Sequence, residues 1–189
     1  MGYYERNLPH WHPPDTQLFL TWRLAGSLPS KCDWMSPSRN YKEGHKFAIM
    51  DRELERCAYG PVWLQEARIA QMVLETLHHG EQDRDFYRLR AYVVMPNHVH
   101  LLLQPLTTVS VITRWLKGST ARRANQLLCR TGRPFWQDES YDHWVRDNSE
   151  LQKIVRHIEQ NPVRAGLASS PGAWPWSSAA TTGESACST

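Results

Sequence analysis

A strand–turn–strand segment at residues 88–105 constrains the fold of this chain more than any other feature. It reads RLRAYVVMPNHVHLLLQP, with two runs rich in β-branched and aromatic residues on either side of Pro96 and Asn97. Proline is excluded from the middle of a strand but suits a turn, and asparagine tolerates positive φ. The pattern predicts a hairpin, with one strand to about Met95, a tight turn and a second strand at about 98–104.

Hydrophobic periodicity elsewhere predicts one more strand and four helices. In chain order the elements are a strand at 17–24, a short helix at 47–57, a helix at 61–79, the hairpin, a helix at 110–129 and a final helix from 149. Gly80 is expected to end the helix at 61–79. The final helix is expected to begin with a capping box of Ser149 and Gln152 and to stop at Pro162. This order suits an α+β fold with helices packed on one face of an antiparallel sheet.

The length of 189 residues predicts one compact domain with extensions. Residues 1–16 have the proline-rich, irregular pattern of an N-terminal arm. The domain is expected to span 17–168, with an irregular insertion at about 25–45 that is rich in Gly, Ser, Pro and charged residues. Residues 169–189 are expected to form a C-terminal tail.

Cysteine usage and hydropathy indicate a cytoplasmic protein that is not inserted in a membrane. The four cysteines are far apart and form no CxxC pair, which is typical of free thiols in a reducing compartment. The N-terminal residues do not resemble a signal peptide. No apolar run approaches the roughly 18 residues that a membrane-spanning helix requires.

Charge is unevenly distributed along the chain, although its net value of +3 is modest. The stretch 105–137 holds no acidic residue and six basic ones. Such a stretch is typical of a phosphate-binding surface, and a solvated helix face is the alternative. Four of the basic residues fall on the helix predicted at 110–129 and are candidate DNA contacts: Arg114, Lys117, Arg122 and Arg123.

Two histidines two residues apart, His98 and His100, form the sharpest candidate site, here called the histidine pair. Residues i and i+2 of a strand point to the same face, so both imidazoles project side by side while Val99 faces the opposite way. Adjacent imidazoles are suited to hold one metal ion. The alternative for this motif alone is two surface histidines.

The final helix offers two further polar groups, His157 and Asn161. Four residues separate them, which places both on one helix face. Neither belongs to the apolar stripe of that helix, so they could face a cleft beside the histidine pair. A solvated face with Asn161 at the helix end is the alternative.

Several motifs in order resemble the REP-associated tyrosine transposases, a branch of the HUH class of single-strand DNA transposases. The motifs are MPNHVHLLL at 95–103, FWQ at 135–137, YDHWVRD at 141–147, HIEQNPVRAGL at 157–167 and WPWSSA at 174–179. The opening ERNLPHWHPP and the following FLTWRLAGSLP are similar to the start of a subgroup of the same proteins. The resemblance covers nearly the whole chain.

The resemblance implies a ferredoxin-like antiparallel sheet and a function in transposition and DNA recombination. Family members cut single-stranded DNA next to hairpins formed by palindromic repeats, and act as monomers or homodimers. The implied ligands of a Mg²⁺ or Mn²⁺ ion are His98, His100 and Asn161. The family nucleophile is a tyrosine in the pattern YIxxNPV, and this chain has His157 at that position.

The missing tyrosine leaves three alternatives for the chemistry. His157 could attack the phosphate, since histidine serves as a covalent nucleophile in some enzymes. Tyr141, from a separate motif, could replace the tyrosine. The third alternative is a catalytically inactive, DNA-binding remnant of a transposase. A metal-dependent hydrolase of small molecules fits the histidine pair but not the acid-free basic stretch.

Overall fold

The computed structural model describes residues 16–29 and 43–181. The strands are β1 (Leu18–Arg23), β2 (Tyr87–Val94), β3 (His98–Pro105) and β4 (Tyr141–Trp144). The helices are α1 (Glu43–Glu55), α2 (Ala67–Gln82), α3 (Val109–Leu127), α4 (Asn148–Arg164) and α5 (Ser178–Thr181), with short 3-10 turns at Trp63–Gln65 and Pro171–Ala173. None of the helices in the described ranges is long and apolar enough to cross a membrane.

The four strands form one antiparallel sheet in the order β2-β3-β1-β4. Helix α2 connects β1 to β2 and helix α3 connects β3 to β4, which is the split βαβ arrangement of a ferredoxin-like fold. The predicted α+β class, the antiparallel sheet and the β2–β3 hairpin are confirmed. In register, Thr21 of β1 pairs with His100 on one side and with Tyr141 on the other. These three residues make a row across the sheet.

Helices cover both faces of this sheet, whereas the sequence analysis expected them on one face. Leu20 and Trp22 of β1 point into the main core, which α2 and α3 close. Phe19 points the other way, into a smaller cluster with Ile158 of α4. The reason is the composition of β3, where Leu102 is as buried as its neighbours that face the main core. A sheet with apolar side chains on both faces needs a helical layer on each.

Helix α2 departs from its predicted bounds at both ends. It begins at Ala67 rather than Pro61, because residues 63–65 form a 3-10 turn in which Leu64 N–H donates to Pro96 O at 3.1 Å. The prediction that Gly80 ends the helix is wrong, since α2 continues to Gln82. A Cβ on Gly80 would lie 2.1 Å from the Tyr87 hydroxyl, so this glycine serves close packing rather than helix termination.

Strand β4 was missed by the sequence analysis. It has four residues, includes Asp142 and His143, and pairs only with β1. A strand this short and this polar carries no clear alternation of apolar residues. Its position follows from long-range pairing with β1. This pairing adds a fourth strand to the sheet and places Tyr141 at the end of the row that contains His100.

The free edge of β2 is covered by residues 171–181, which belong to the predicted C-terminal tail. Trp174 Nε1–H donates to Val94 O at 3.0 Å, and Val94 N–H donates to Trp176 O at 2.8 Å. Covering an edge in this way removes unpaired backbone groups from solvent. Residues 1–15, 30–42 and 182–189, which include most of the predicted arm and insertion, lie outside the described residues.

Candidate metal centre

The histidine pair projects from β3 onto the sheet face that α1 and α4 cover. Both side chains are fully buried, and their Nε2 atoms lie 3.1 Å apart. The shared orientation follows from the period-2 geometry of the strand, as predicted. The two imidazoles do face away from the main core, but the second helical layer encloses them, so they are not surface histidines.

Hydrogen bonds at the turn set the tautomer of His98. Asn97 Nδ2–H donates to Leu54 O at 3.0 Å, which leaves Asn97 Oδ1 facing His98 Nδ1 at 2.7 Å. An amide oxygen only accepts, so Nδ1 carries the proton and Nε2 presents its lone pair. Asn97 was expected to serve the turn through positive φ, but its φ is negative and its role is this pair of side-chain hydrogen bonds.

His100 has polar neighbours at both ring nitrogens. Its Nδ1 lies 2.7 Å from Thr21 Oγ1, on the neighbouring strand. Its Nε2 lies 3.2 Å from Asn161 Nδ2, which is a donor. His100 Nε2 also lies 3.0 Å from Asp51 Oδ1 and 3.1 Å from His98 Nε2, so a proton on Nε2 would have an acceptor. A metal ion at this point would take the place of that proton, and Thr21 Oγ1 would then accept from Nδ1–H. Both imidazoles thus direct Nε2 at the same point, as metal-binding histidines do.

Asp51 of α1 adds a carboxylate to this cluster. Its Oδ1 lies 3.0 Å from His100 Nε2 and 4.0 Å from His98 Nε2, and its side chain is 6% exposed. Asp51 and the histidine pair are the one cluster of at least three His, Cys, Asp or Glu side chains within the described residues that has metal-ligand spacing. The structure therefore adds Asp51 to the pair as a third candidate ligand, and this ligand is charged. Asp51 was not among the site residues predicted from the sequence.

One signal in the sequence could have found Asp51. In the predicted helix, Phe47, Asp51 and Leu54 are spaced i, i+4 and i+7, so the acid lies on the apolar stripe. A carboxylate on a buried helix face is costly unless a cation or donors compensate it. An acidic residue in such a stripe therefore predicts a partner elsewhere in the fold.

The donor set fits a divalent cation. Two buried oxygens, Asp51 Oδ1 and Asn161 Oδ1, have no hydrogen-bond partner among the described residues. Ligand atoms about 2.1 Å from an octahedral ion stand about 3.0 Å apart. The separations between His98 Nε2 and His100 Nε2, 3.1 Å, and between His100 Nε2 and Asp51 Oδ1, 3.0 Å, match that spacing. Lone pairs this close repel one another unless a cation or a proton lies between them.

The charges of the cluster also favour a cation. Burial alone would raise the pKa of Asp51, but charge interactions with His100 and then His98 hold it well below its ordinary value. Burial, followed by repulsion from His100, holds the pKa of His98 well below its ordinary value. At neutral pH the cluster therefore contains an ionised carboxylate and a neutral His98 imidazole, the states that bind metal.

Helix α4 places His157 and Asn161 on one face, as their spacing predicted, and that face lies beside the cluster rather than in solvent. Its N-terminus is capped by Asp147, which accepts from Glu150 N–H at 2.8 Å, rather than by the predicted box at Ser149. Pro162 lies inside the helix, which ends at Arg164, so the expected stop at the proline is wrong. Asn161 is fully buried beside His100, and His157 is 26% exposed in its side chain.

His157 lies between the carboxylate of Asp51 and the guanidinium of Arg164. Its Nε2 is 3.3 Å from Asp51 Oδ2, and its Nδ1 is 3.3 Å from Arg164 Nη2. Burial, then repulsion from His100, lowers the pKa of His157 to about 4. The imidazole is therefore neutral at physiological pH.

Tyr141 lies on the sheet face of the cluster and packs against its aromatic neighbours. Its ring stacks on Phe47 with centroids 4.2 Å apart, and lies 6.1 Å from the ring of Phe19. The same two phenylalanines contact His157, with centroids 5.9 and 6.0 Å apart. Tyr141 and His157 are thus neighbours around one aromatic group on the α1/α4 side of the sheet.

The basic residues of α3 lie on the other side of the sheet, because α3 packs on the main core. Lys117 Nζ donates to Gln137 O and Asp138 O, so it ties down the loop before β4. Arg123 contacts Glu75 of α2, with Nη2 and Oε2 3.4 Å apart. The two remaining candidates, Arg114 and Arg122, are exposed and make no ion pair or side-chain hydrogen bond within the described residues.

A family model described as "Transposase IS200 like" matches residues 57–161, which is more than half of the chain. The chain belongs to the IS200-like transposase family. The matched stretch includes the histidine pair and ends at Asn161, whereas Asp51 precedes it. The histidine pair thus lies within the region of this IS200-like transposase that the family model matches.

Individual relatives agree with that membership. A Haemophilus influenzae protein named as a REP-associated tyrosine transposase is 29% identical over 101 residues, 47% of this chain and 56% of that protein. An uncharacterised Haemophilus influenzae protein is 22% identical over 155 residues, 66% of this chain and 83% of that protein. A solved REP-associated tyrosine transposase bound to a REP hairpin has a TM-score of 0.54 and 18% identity, covering 94% of this chain and 82% of that one. The resemblance to REP-associated tyrosine transposases is confirmed, and the last match shows a shared fold.

Proposed function

We propose that this IS200-like transposase binds single-stranded, hairpin-forming DNA at a divalent-metal site built on the histidine pair. The observation that carries the proposal is the convergence of two imidazole Nε2 atoms from the IS200-like region with a buried carboxylate oxygen of Asp51. The relatives named above supply the DNA partner, because one of them is a REP-associated transposase bound to a REP hairpin.

The ligands that would hold the ion are His98, His100, Asp51 and Asn161, the last through its Oδ1. This set of two imidazole nitrogens and two oxygens suits Mn²⁺ better than Mg²⁺, which prefers oxygen alone. A bound ion would supply charge neutralisation and orientation for the scissile phosphate. The apolar rings of Phe19 and Phe47 pack beside His100 and border the site.

Positive charge near the site supports a DNA strand on this face. Arg52 follows Asp51 on α1, Arg156 precedes His157 on α4, and both arginines are exposed. Arg114 and Arg122 of α3 face the opposite side of the sheet, so they would contact a different part of the DNA, such as the hairpin stem. Both pairs would act on phosphates through charge and without sequence preference.

The environment of His157 favours DNA binding without a covalent histidine adduct. A guanidinium has only donors, so the nitrogen that faces Arg164, Nδ1, uses its lone pair there, and Nε2 carries the proton. A nucleophilic imidazole needs a lone pair directed at phosphorus. Cleavage by Tyr141 is the second candidate, and its place in the row with Thr21 and His100 favours it.

The test is incubation of the protein with labelled single-stranded hairpin DNA and Mn²⁺, followed by denaturing electrophoresis. Wild type is expected to bind the hairpin in native gels and to give no denaturant-resistant band. His157→Tyr restores the family tyrosine and is expected to give an acid-stable band, which the added Asn161→Ala change removes. An acid-labile band in wild type would support phosphohistidine chemistry. An acid-stable wild-type band that Tyr141→Phe abolishes would assign the cleavage to Tyr141.

A further inference from the structure

The two oxygens of the Asp51 carboxylate face two different kinds of neighbour. Oδ1 lies 3.0 Å from His100 Nε2 and 4.0 Å from His98 Nε2, the two nitrogens of the candidate metal site. Oδ2 lies 3.3 Å from His157 Nε2 and 3.7 Å from Arg164 Nη2. The contact with His157 is a close polar approach, since Nε2 is buried and makes no hydrogen bond within the described residues. Oδ1 is therefore turned to the candidate metal position, and Oδ2 lies beside a neutral imidazole and a guanidinium.

Arg164 decides which nitrogen of His157 carries the proton. Its Nη2 lies 3.3 Å from Nδ1, which must accept, so the proton resides on Nε2 and faces the carboxylate. Arg164 is itself fixed by Glu55 of α1, with Nε and Nη2 at 3.0 and 2.6 Å from Oε1. A continuous series of polar contacts thus runs from Glu55 through Arg164 and His157 to Asp51.

We infer that His157 is a positioning residue that aims Asp51 at the metal, and that Asp51 is a ligand of that metal. The inference rests on the proposed metal site and deepens it. At the position where the family has its attacking tyrosine, this chain has a group that orients a ligand through Oδ2. Partners of this kind fix ligand orientation, and their loss lowers metal affinity by roughly 10- to 100-fold.

Mn²⁺ titration calorimetry on a matched set of variants tests the inference. His157→Phe removes the N–H donor and is expected to weaken Mn²⁺ binding by roughly 10- to 100-fold. His157→Gln, whose amide nitrogen reaches the same point, is expected to restore most of the affinity. The control is His143→Phe, the same change at a histidine that pairs with Glu150 away from the cluster. It is expected to bind Mn²⁺ as wild type does.

A double-variant cycle separates positioning from general structural damage. Because His157 acts through Asp51, His157→Phe is expected to add no loss of Mn²⁺ affinity to that of Asp51→Ala. Additive losses would overturn the inference, as would wild-type affinity in His157→Phe. Should that variant fail to fold, Arg164→Met breaks the series at a residue whose side chain is 38% exposed. Unchanged affinity in folded Arg164→Met would equally overturn it.

Failure of the metal site itself gives a different pattern. If wild type bound no Mn²⁺, or if the His98→Ala/His100→Ala variant bound it as tightly as wild type, the proposed function would be at fault. If the histidine pair were required and His157→Phe bound Mn²⁺ normally, only the role of His157 would be wrong.

Discussion

Replacing Thr21 by valine is expected to weaken metal binding while leaving the metal-free fold nearly unchanged. Thr21 is buried, at 2% exposure, and its Oγ1 lies 2.7 Å from His100 Nδ1, where it accepts from Nδ1–H when Nε2 binds a metal. Valine keeps the shape of threonine and removes the acceptor. The imidazole then has no partner for a proton on Nδ1, and the lone-pair direction of Nε2 is no longer fixed.

The expected loss of Mn²⁺ affinity follows from where the ring proton of His100 can go in the metal-free and in the metal-bound protein. Without metal, the proton can move to His100 Nε2, where Asp51 Oδ1 lies 3.0 Å away, so little stability is lost. With metal bound, Nε2 is occupied and Nδ1–H stays buried without a partner, which costs roughly 1–3 kcal/mol. A loss of about 1.4 kcal/mol is a tenfold change in Kd. Mn²⁺ affinity should therefore fall by roughly 10- to 100-fold.

Titration calorimetry with Mn²⁺ and thermal melting of the metal-free protein are the two assays. Thr21→Ser keeps the hydroxyl and is the matched control, expected to bind Mn²⁺ nearly as wild type does. The reasoning is refuted if Thr21→Val and Thr21→Ser bind Mn²⁺ equally well. It is also refuted if Thr21→Val loses as much stability without metal as it loses in metal binding.

Three further predictions concern pH, salt and the loop before β4. The pKa of His157 is about 4 in the fold and 6.5 unfolded, so the unfolded chain binds more protons between those values. Metal-free protein should therefore lose stability as pH falls from about 6.5 to 4, by at most about 3 kcal/mol, and His157→Phe should show a shallower loss in denaturant titrations. Arg114→Ala/Arg122→Ala should make the salt dependence of hairpin-DNA binding shallower by about one unit, and an unchanged slope would assign α3 to solvent. Lys117→Ala, which frees the loop before β4, should instead lower the melting temperature.

The parts of the fold that local sequence determines were predictable. The β2–β3 hairpin follows from a turn signal between two β-rich runs, and the shared orientation of His98 and His100 follows from strand geometry. That His157 and Asn161 lie close to each other follows from helical spacing. The family resemblance implied that both belong to the site of the histidine pair. Each of these features depends on residues within one element or on motifs in a fixed order.

The parts that escaped depend on contacts between distant segments. Strand β4 exists because β1 offers an edge, and four half-polar residues carry no signal of that pairing. Asp51 joins the site only when α1 packs over β3, 47 or more residues further along the chain. The charge of Lys117 was evident in the sequence, but its three acceptors around residue 138 were not. Sequence pattern gives the residue type, and tertiary packing decides its partner.

Anomalous diffraction from crystals grown with Mn²⁺ tests the central claim most directly, because it locates the ion without any assay of activity. The account predicts one strong peak within about 2.5 Å of His98 Nε2, His100 Nε2 and Asp51 Oδ1, with Asp51 Oδ2 turned towards His157. A peak remote from the histidine pair would contradict it. So would an empty site in which the two imidazoles share a proton while Mn²⁺ is present in excess.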